Sequence, residues 1–337
     1  MKIIFFGNFF LSDSGTLSIS QKLVNKLDYE NIEYVIGSKY KSKILRIFET
    51  IFKMLFYKYD NIHVDVFSGY AFNIPFIISI TNFFRRKKII LNLRGGRLTE
   101  YYSNSAFNTW KVNFVLNNAK VIVSPSKFLI NFFKNYNFNI SYFPNYINYE
   151  DFPYNEDIVS NNQILWVRGF HEIYNPKDAV MSFYYLLKKM PSCNLTMIGP
   201  DKGIMDEVKI LIKKLKLESK INILGPINNS SLHKYFHSHE VFINTTSYES
   251  FGQALLESAS SGCPIVSYSV GEIPYIWDDN ENILLCESND PIDMSQKIYN
   301  ILNDRELLKK LKFNAYKKSS KYEWKNLRKS WLSLLKQ

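Results

Sequence analysis

Short apolar runs alternate along the whole chain with longer stretches in which apolar residues recur every three or four positions. Runs of four to six apolar residues bounded by Gly, Asn or Ser predict strands, and the 3.6-residue spacing between them predicts helices. In the first half the expected strands are 2–6, 33–36, 63–67, 88–93 and 121–123. In the second they are 163–167, 195–198, 221–224, 241–244 and 264–268. Such alternation predicts parallel α/β layers. Polar or glycine residues stand at the strand ends, where open α/β sheets bind ligands. The halves join near 144–153, a stretch rich in Tyr, Asn and Asp, so the expected domains are 1–150 and 151–320, with a closing helix over 321–337. Neither half carries GxGxxG, which argues against a dinucleotide dehydrogenase.

Length agrees, since 337 residues exceed a typical single core and suit two. With 46% hydrophobic and 22% charged residues, disorder is not expected. Cys193, Cys263 and Cys286 lie far apart with no CxxC spacing, which argues against a disulfide framework or zinc site and for a reducing compartment. The apolar start is interrupted by Asn8 and lacks a small-residue cleavage site, so it reads as a first strand and not a signal peptide. The apolar stretch 64–84 contains Asp65, Asn73, Pro75 and Asn82, which predicts a strand, a turn and a helix in place of a membrane span.

Charge changes the picture more. Residues 1–150 hold 19 Lys and Arg against 9 Asp and Glu, while the remainder holds 23 against 22. Such asymmetry points to a polyanion met by the first half. No nucleic-acid-binding motif is present, and the aromatic content fits an anionic membrane face better. The segment 41–58 predicts an amphipathic helix with Ile44, Leu45, Phe48, Phe52 and Leu55 among Lys43, Arg46, Lys53 and Lys58. Docking on a membrane and packing on the domain's own sheet both remain open for it. Arg85-Arg86-Lys87-Lys88 reads first as a solvated helix end.

The most informative string is Tyr248-Glu249-Ser250-Phe251-Gly252-Gln253-Ala254-Leu255-Leu256-Glu257, which runs on to Gly262-Cys263-Pro264-Ile265-Val266. Two carboxylates stand eight positions apart, with a small-residue turn after the first and a helical pattern after that. Ser250 is placed to cap the helix and Gly262 to end it. The free amides at Phe251, Gly252 and Gln253 would then form an anion site. Eight residues of helix span roughly 12 Å, about the reach from a hexose across a diphosphate to a ribose. Glu249 would meet sugar hydroxyls, the amides phosphate, and Glu257 the ribose diol.

This string resembles the E-x7-E segment of the retaining family 4 glycosyltransferases, where Phe-Gly follows the first Glu and a Gly-x-Pro-Val-like strand follows the second. Val123-Ser124-Pro125-Ser126-Lys127 and Phe143-Pro144-Asn145-Tyr146-Ile147-Asn148 resemble its hinge region, with Tyr146 in place of a glycine. Met197-Ile198-Gly199 and Ile223-Leu224-Gly225 resemble two strand ends, and Gly225 lies near where the family holds the nucleotide base. The stretch 322–335 resembles the family's last helix, which crosses back to the first domain. The resemblance implies the GT-B fold: an acceptor-side Rossmann-like domain and a nucleotide-sugar domain, facing across a cleft.

Leaving-group charge in this fold is met by cationic side chains and helix N-termini, so no metal and no cofactor is expected. Arg168 in Val167-Arg168-Gly169-Phe170 is the first candidate for the diphosphate, although the family order is Gly-Arg. Lys177 is the second, and His171 is a candidate for phosphate or sugar. Ser14-Gly15-Thr16 would bring backbone near the diphosphate or acceptor. Arg94-Gly95-Gly96-Arg97 ends the fourth strand where many family members carry His-Gly. An arginine there suits an anionic acceptor or the diphosphate, and a structural ion pair is the alternative. Glu272 stands in Gly271-Glu272-Ile273-Pro274 where a second glycine is usual, which departs from the family's donor-sugar loop. His233, His237 and His239 read as a helix end, not a metal cluster.

The expected activity is retaining transfer of a hexose from a nucleotide sugar, UDP-linked by preference, to a cell-surface glycan or lipid-linked acceptor. It would act in the cytoplasm or on the inner face of the cell membrane, without nucleic acid. Two readings of other classes stand beside it: an epimerase or hydrolase of nucleotide sugars, and a non-catalytic glycan-binding protein of the same fold.

Overall fold

The apolar run after Met1 forms β1 (Lys2–Phe6), which has a parallel partner on each side and is buried from Ile3 to Phe6. Parallel strands covered on both faces read as continuous apolar runs. The computed structural model describes residues 1–9 and 17–336. It divides into two units, one running to Asn145 and taking in the closing stretch from Arg328, the other spanning Tyr146–Leu327.

The first unit adds β2 (Glu33–Ile36), β3 (Asn61–Val66), β4 (Lys88–Leu93), β5 (Val121–Ser124) and β6 (Ser141–Tyr142). Among the described residues they form one six-stranded parallel sheet, ordered β2-β1-β3-β4-β5-β6. Its helices are α1 (Ile19–Leu27), α2 (Lys43–Phe56), α3 (Asn73–Arg85), α4 (Leu98–Ser103), α5 (Ala106–Asn117) and α6 (Lys127–Lys134). The crossovers from β2 to β3, β3 to β4 and β4 to β5 step the same way across the sheet. Right-handed connection therefore lays α2, α3 and α5 on one face, where α3 packs beside both others.

The second unit holds β7 (Gln163–Val167), β8 (Asn194–Ile198), β9 (Ile221–Gly225), β10 (Val241–Asn244), β11 (Ile265–Tyr268) and β12 (Leu284–Cys286). The sheet order is β12-β11-β10-β7-β8-β9, again parallel throughout. Its helices are α7 (Pro176–Leu187), α8 (Met205–Lys214), α9 (Asn229–Ser238), α10 (Gln253–Ser261), α11 (Ile273–Ile276), α12 (Pro291–Asn303) and α13 (Arg305–Ser319). The last helix is α14 (Trp324–Lys336), whose residues from Arg328 onward group with the first unit. Side chains alternate along β7: Ile164 and Trp166 enter the core on one face of the sheet, Leu165 that on the other.

All ten expected strands form, five with the expected bounds and five with an end shifted by one or two residues. β6 and β12 escape the sequence pattern because two and three residues carry no period. The stretch 64–84 becomes the end of β3, a 3-10 turn and most of α3. No described helix is long and apolar enough to cross a membrane. The three cysteines are buried and free.

The orientation left open for the helix over 41–58 is fixed by the structure. The helix over 41–58 forms as α2, but Arg46 and Lys53 do not share its outer surface with the apolar residues. The Lys53 Nζ donates to the Ile36 carbonyl at 2.8 Å and pairs with Glu49 at 2.6 Å. Thr50 and Met54 are fully buried, whereas Phe48 is 66% and Phe56 70% exposed. The helix is turned with much of its polar side inward.

Candidate functional site

The site begins where β7 ends. The Arg168 N–H donates to the Ile198 carbonyl at 3.0 Å, extending the β7–β8 pairing by one step. Gly199, at φ 154°, lies so close to this crossing that a Cβ there would stand 1.7 Å from the Arg168 carbonyl oxygen. Only glycine permits that approach. β7 continues to β8 on one side while β10 flanks it on the other, so Arg168 leaves the sheet at its topological switch point. Ligands bind outside the carboxyl ends of the strands at such points.

The facing carboxylate is carried by the loop after β10. Thr245 Oγ1 donates to the Tyr174 carbonyl at 2.9 Å and accepts from Trp166 Nε1 at 3.0 Å. Thr246 Oγ1 donates toward Ile173 at 3.1 Å. These hydroxyls tie the loop to the turn that follows Arg168. Further along, the Glu249 carbonyl accepts from the Glu272 N–H at 3.0 Å. A Cβ on Gly271, at φ 55°, would lie 2.0 Å from that same oxygen. The departure from the family's loop at Glu272 therefore falls on a wholly buried residue whose backbone buttresses Glu249.

So held, Glu249 meets Arg168 directly: Nη2 donates to Oε2 at 2.5 Å, with both side chains mostly buried. Arg168 Nε donates to Asn244 Oδ1 at 3.2 Å, and Asn244 Nδ2 to Ser267 Oγ at 3.0 Å. The guanidinium lies 5.5 Å from the centre of the Tyr174 ring. Among the described residues its Nη1 donates no hydrogen bond, so part of the fork is available to a ligand. The stem of Lys202 crosses Gly169. Partial desolvation, and secondarily the Arg168 charge, lowers the Lys202 pKa. Two cations thus share this strand edge.

The helix expected from the string also forms, with a different start. Gly252, at φ 89°, is the N-cap of α10, and Ser250 makes no capping bond. The helix can begin only after the left-handed residue, so its amides start with Gln253 and not at Phe251. The Phe251 N–H instead donates to Glu249 Oε1 at 3.4 Å, and its ring is buried. The roughly 12 Å helical span from Glu249 to Glu257 is corrected by the same observation. Only Gln253 to Glu257 is helical, about 6 Å of rise, and the rest is loop. Glu257 is buried within α10. Gln253 Nε2 donates to the Tyr146 carbonyl at 3.2 Å. Gly262 ends the helix in the left-handed conformation, as expected.

Other candidates fall elsewhere. Lys177 pairs with Glu207 at 2.5 Å on the surface and touches neither Arg168 nor Glu249. His171 accepts from the Ile173 N–H at 3.2 Å and caps the turn 172–174. Gly225 closes β9 at φ 67°, its carbonyl accepting from the Gly199 N–H at 2.8 Å. His239 is held by Tyr235 and Thr196, and His237 by the Pro153 carbonyl. No group of three or more His, Cys, Asp and Glu side chains among the described residues is clustered as a metal site requires. Gly15 lies outside the described residues.

In the first unit Arg94 is fully engaged. Its Nε meets Asp65 at 2.7 Å and Nη1 meets Asn145 Oδ1 at 2.6 Å. With the Asn92 amide oxygen facing it, Nη2 donates there at 2.8 Å. Ser20 Oγ donates to the other Asp65 oxygen. The ion-pair alternative describes Arg94; a free guanidinium for an anionic ligand does not. Gly95 is needed for close passage, since a Cβ would come within 2.8 Å of the Ser68 nitrogen, and Gly96 lies in the turn that follows. Asp65, Gly7, Asn8, Ser38, Arg46 and Thr50 border a small depression at the carboxyl ends of β1 and β3.

Sequence reasoning missed Asn244, Tyr174 and Lys202. Asn244 did leave a signal, a polar residue ending the apolar run Val241-Phe242-Ile243.

The family of glycosyl transferases group 1 matches residues 151–318. The poly(glycerol-phosphate) alpha-glucosyltransferase of Bacillus subtilis is 26% identical over 160 residues, 47% of this chain and 23% of that protein. The N-acetyl-alpha-D-glucosaminyl L-malate synthase of Bacillus anthracis is 24% identical over 235 residues, 66% and 60%. The chain thus spans less than two thirds of either relative. Among solved structures, sucrose-phosphate synthase from Thermosynechococcus elongatus aligns with TM-score 0.81 at 14% identity, covering 99% of this chain and 98% of that one. HepE of Anabaena, in complex with UDP-glucose, gives 0.81 at 15% identity over 100% and 99%. These likenesses show the fold, which is GT-B.

Proposed function

Because the second half of this chain belongs to the glycosyl transferases group 1 family, we propose that the protein is a retaining glycosyltransferase. It moves a hexose from a UDP-linked donor to a cell-surface glycan or lipid-linked acceptor at the inner membrane face. The observation that carries this reading is the Arg168–Glu249 pair at the switch point of the second sheet, directly before the N-terminus of α10. The UDP-glucose held by the fold neighbour HepE supports the choice of donor.

In this reading the diphosphate lies against Arg168, Lys202 and the first amides of α10, where its negative charge is favoured. The acceptor hydroxyl attacks the anomeric carbon on the face from which the diphosphate departs. The bond from that carbon to the phosphate oxygen breaks with its electron pair going to the phosphate, which takes the proton of the acceptor hydroxyl. Fixed cations aimed at the departing oxygen stabilise the transition state more than the ground state. Glu249 orients the sugar and, through its bond to Arg168, the guanidinium. Glu257 takes the ribose diol. Lys177 is replaced in the diphosphate role by Lys202. The acceptor is received by the first unit.

Product analysis tests this. Incubation with UDP-hexoses and a glycan or lipid-linked acceptor should release UDP and give a product with the donor's anomeric configuration, with turnover surviving EDTA. Inversion at the anomeric carbon, isomerised or hydrolysed sugar nucleotide without transfer, or manganese-dependent recovery after chelation would each overturn a part of the reading.

A further inference from the structure

α2 presents an apolar side to solvent. Ile44, Leu45, Phe48, Phe52, Leu55 and Phe56 recur at helical spacing along one side, and all are exposed. The inward side is mixed: Thr50 and Met54 are buried, Ile47 and Ile51 are half-buried, and Arg46, Glu49 and Lys53 stand beside them; Arg46 and Thr50 border the depression at the ends of β1 and β3. The inner side thus packs within the domain, through Met54 in its core, whereas the apolar outer side stays exposed. Six exposed apolar side chains along one side of a helix form a contiguous patch of the kind that marks an interaction surface.

The neighbouring helices continue the face. Phe83 and Phe84, at the end of α3, are 73% and 76% exposed. Arg85 donates to the Leu55 and Tyr57 carbonyls at 2.7 and 2.8 Å and locks that end of α3 against the end of α2. On α5, Trp110 is exposed and meets the Phe76 ring of α3 at 5.9 Å. Basic residues border the apolar strip, with Lys43, Lys58 and Arg86 exposed around it. The acidic residue of α2, Glu49, is turned inward and paired with Lys53.

We propose that the outer face of α2 and α3, extended by α5, docks on an anionic lipid bilayer, with Phe48, Phe52, Phe56, Phe83 and Phe84 at the headgroup–acyl boundary. The charge pattern selects this occupant. Aromatic side chains on a surface helix rimmed by Lys and Arg match an interface whose outer layer is phosphate and whose inner layer is hydrocarbon. The proposal deepens the membrane part of the reading above and leans on none of its chemistry.

The test uses the full chain without donor or acceptor, on vesicles of phosphatidylcholine alone or with phosphatidylglycerol. Flotation should show binding only to the anionic vesicles, weakening with salt. The Trp110 emission should shift to the blue on binding, since the other four tryptophans are already buried, and Trp110→Phe should abolish the shift. Replacing Phe48, Phe52, Phe83 and Phe84 together by Ser should lower binding at least tenfold while melting temperature and UDP binding are kept. The double variant Lys58→Glu with Arg86→Glu should weaken binding with the aromatic residues intact. Equal binding to both vesicle types, unaltered binding by the four-Ser variant, or self-association through these aromatics without vesicle binding would overturn the proposal. Failure of transfer activity with vesicle binding intact would count against the catalytic reading only.

Discussion

Each unit sets one arginine against one carboxylate at the carboxyl edge of its sheet, and the two pairs differ in what they leave unused. Arg94 and Asp65 both stand on or directly beside strands, and Arg94 has all three nitrogens engaged, by Asp65, Asn145 and Asn92. Arg168 stands on a strand end, but Glu249 is held on a loop, and among the described residues Nη1 of the guanidinium is left over. The first pair is saturated and rigid, which suits a strut. The second is oriented and incomplete, which suits a group that must meet a ligand's charge. Residue identity does not separate the two cases; the count of committed donors does.

Arg94→Ala is the most damaging change by this account. It leaves Asp65 buried with Ser20 as its remaining side-chain partner, and breaking a buried ion pair from one side costs about 3–5 kcal/mol. Thermal or denaturant unfolding should show the loss, with donor binding by the folded fraction preserved. A neutral Arg94→Ala would place this pair in the same class as the other.

Arg168→Ala should reverse that profile. Turnover should fall about 10²–10³-fold, as for loss of one preorganised charge-stabilising donor, while the melting temperature moves by only a few degrees. Lys202→Met should give a smaller loss, about tenfold, expressed in donor affinity as much as in rate. Equal effects of Lys177→Met and Lys202→Met would remove the reason for preferring Lys202.

A buried histidine near the Arg94–Asp65 pair makes the first unit sensitive to acid. His63, one strand step from Asp65, is wholly buried, and burial pushes its pKa down from 6.5 to about 4. The folded state therefore binds fewer protons than the unfolded chain between these values. Stability is unaffected above about pH 7 and falls as pH drops from 6.5 to 4, by up to about 3 kcal/mol. His63→Leu should flatten the unfolding free energy over that window. A slope unchanged by the substitution would assign the acid sensitivity to other groups.

Much of the fold was legible because buried parallel strands write themselves as apolar runs, and ten of the twelve strands did so. Gly262 was readable for a similar reason, since a helix end needs a left-handed residue. The start of α10 was misplaced because Ser250 is a good cap by type, and only the conformation of Gly252 shows where the helix can begin. Pairing across space was not legible. Nothing local links Arg168 to Glu249, 81 positions apart, or selects Lys202 over Lys177. The amphipathicity of α2 was readable, but not which side faces the sheet, because apolar residues stand on both.

The central claim is that Glu249 acts on the reacting sugar and on Arg168, and does not hold the nucleotide. Calorimetric UDP binding by Glu249→Gln, measured beside its steady-state turnover, tests this most directly. UDP lacks the sugar, and the substitution frees Arg168 from a competing carboxylate. UDP affinity should therefore stay the same or tighten severalfold while kcat drops by two orders of magnitude or more. Loss of UDP binding, or near-normal turnover, would contradict the account.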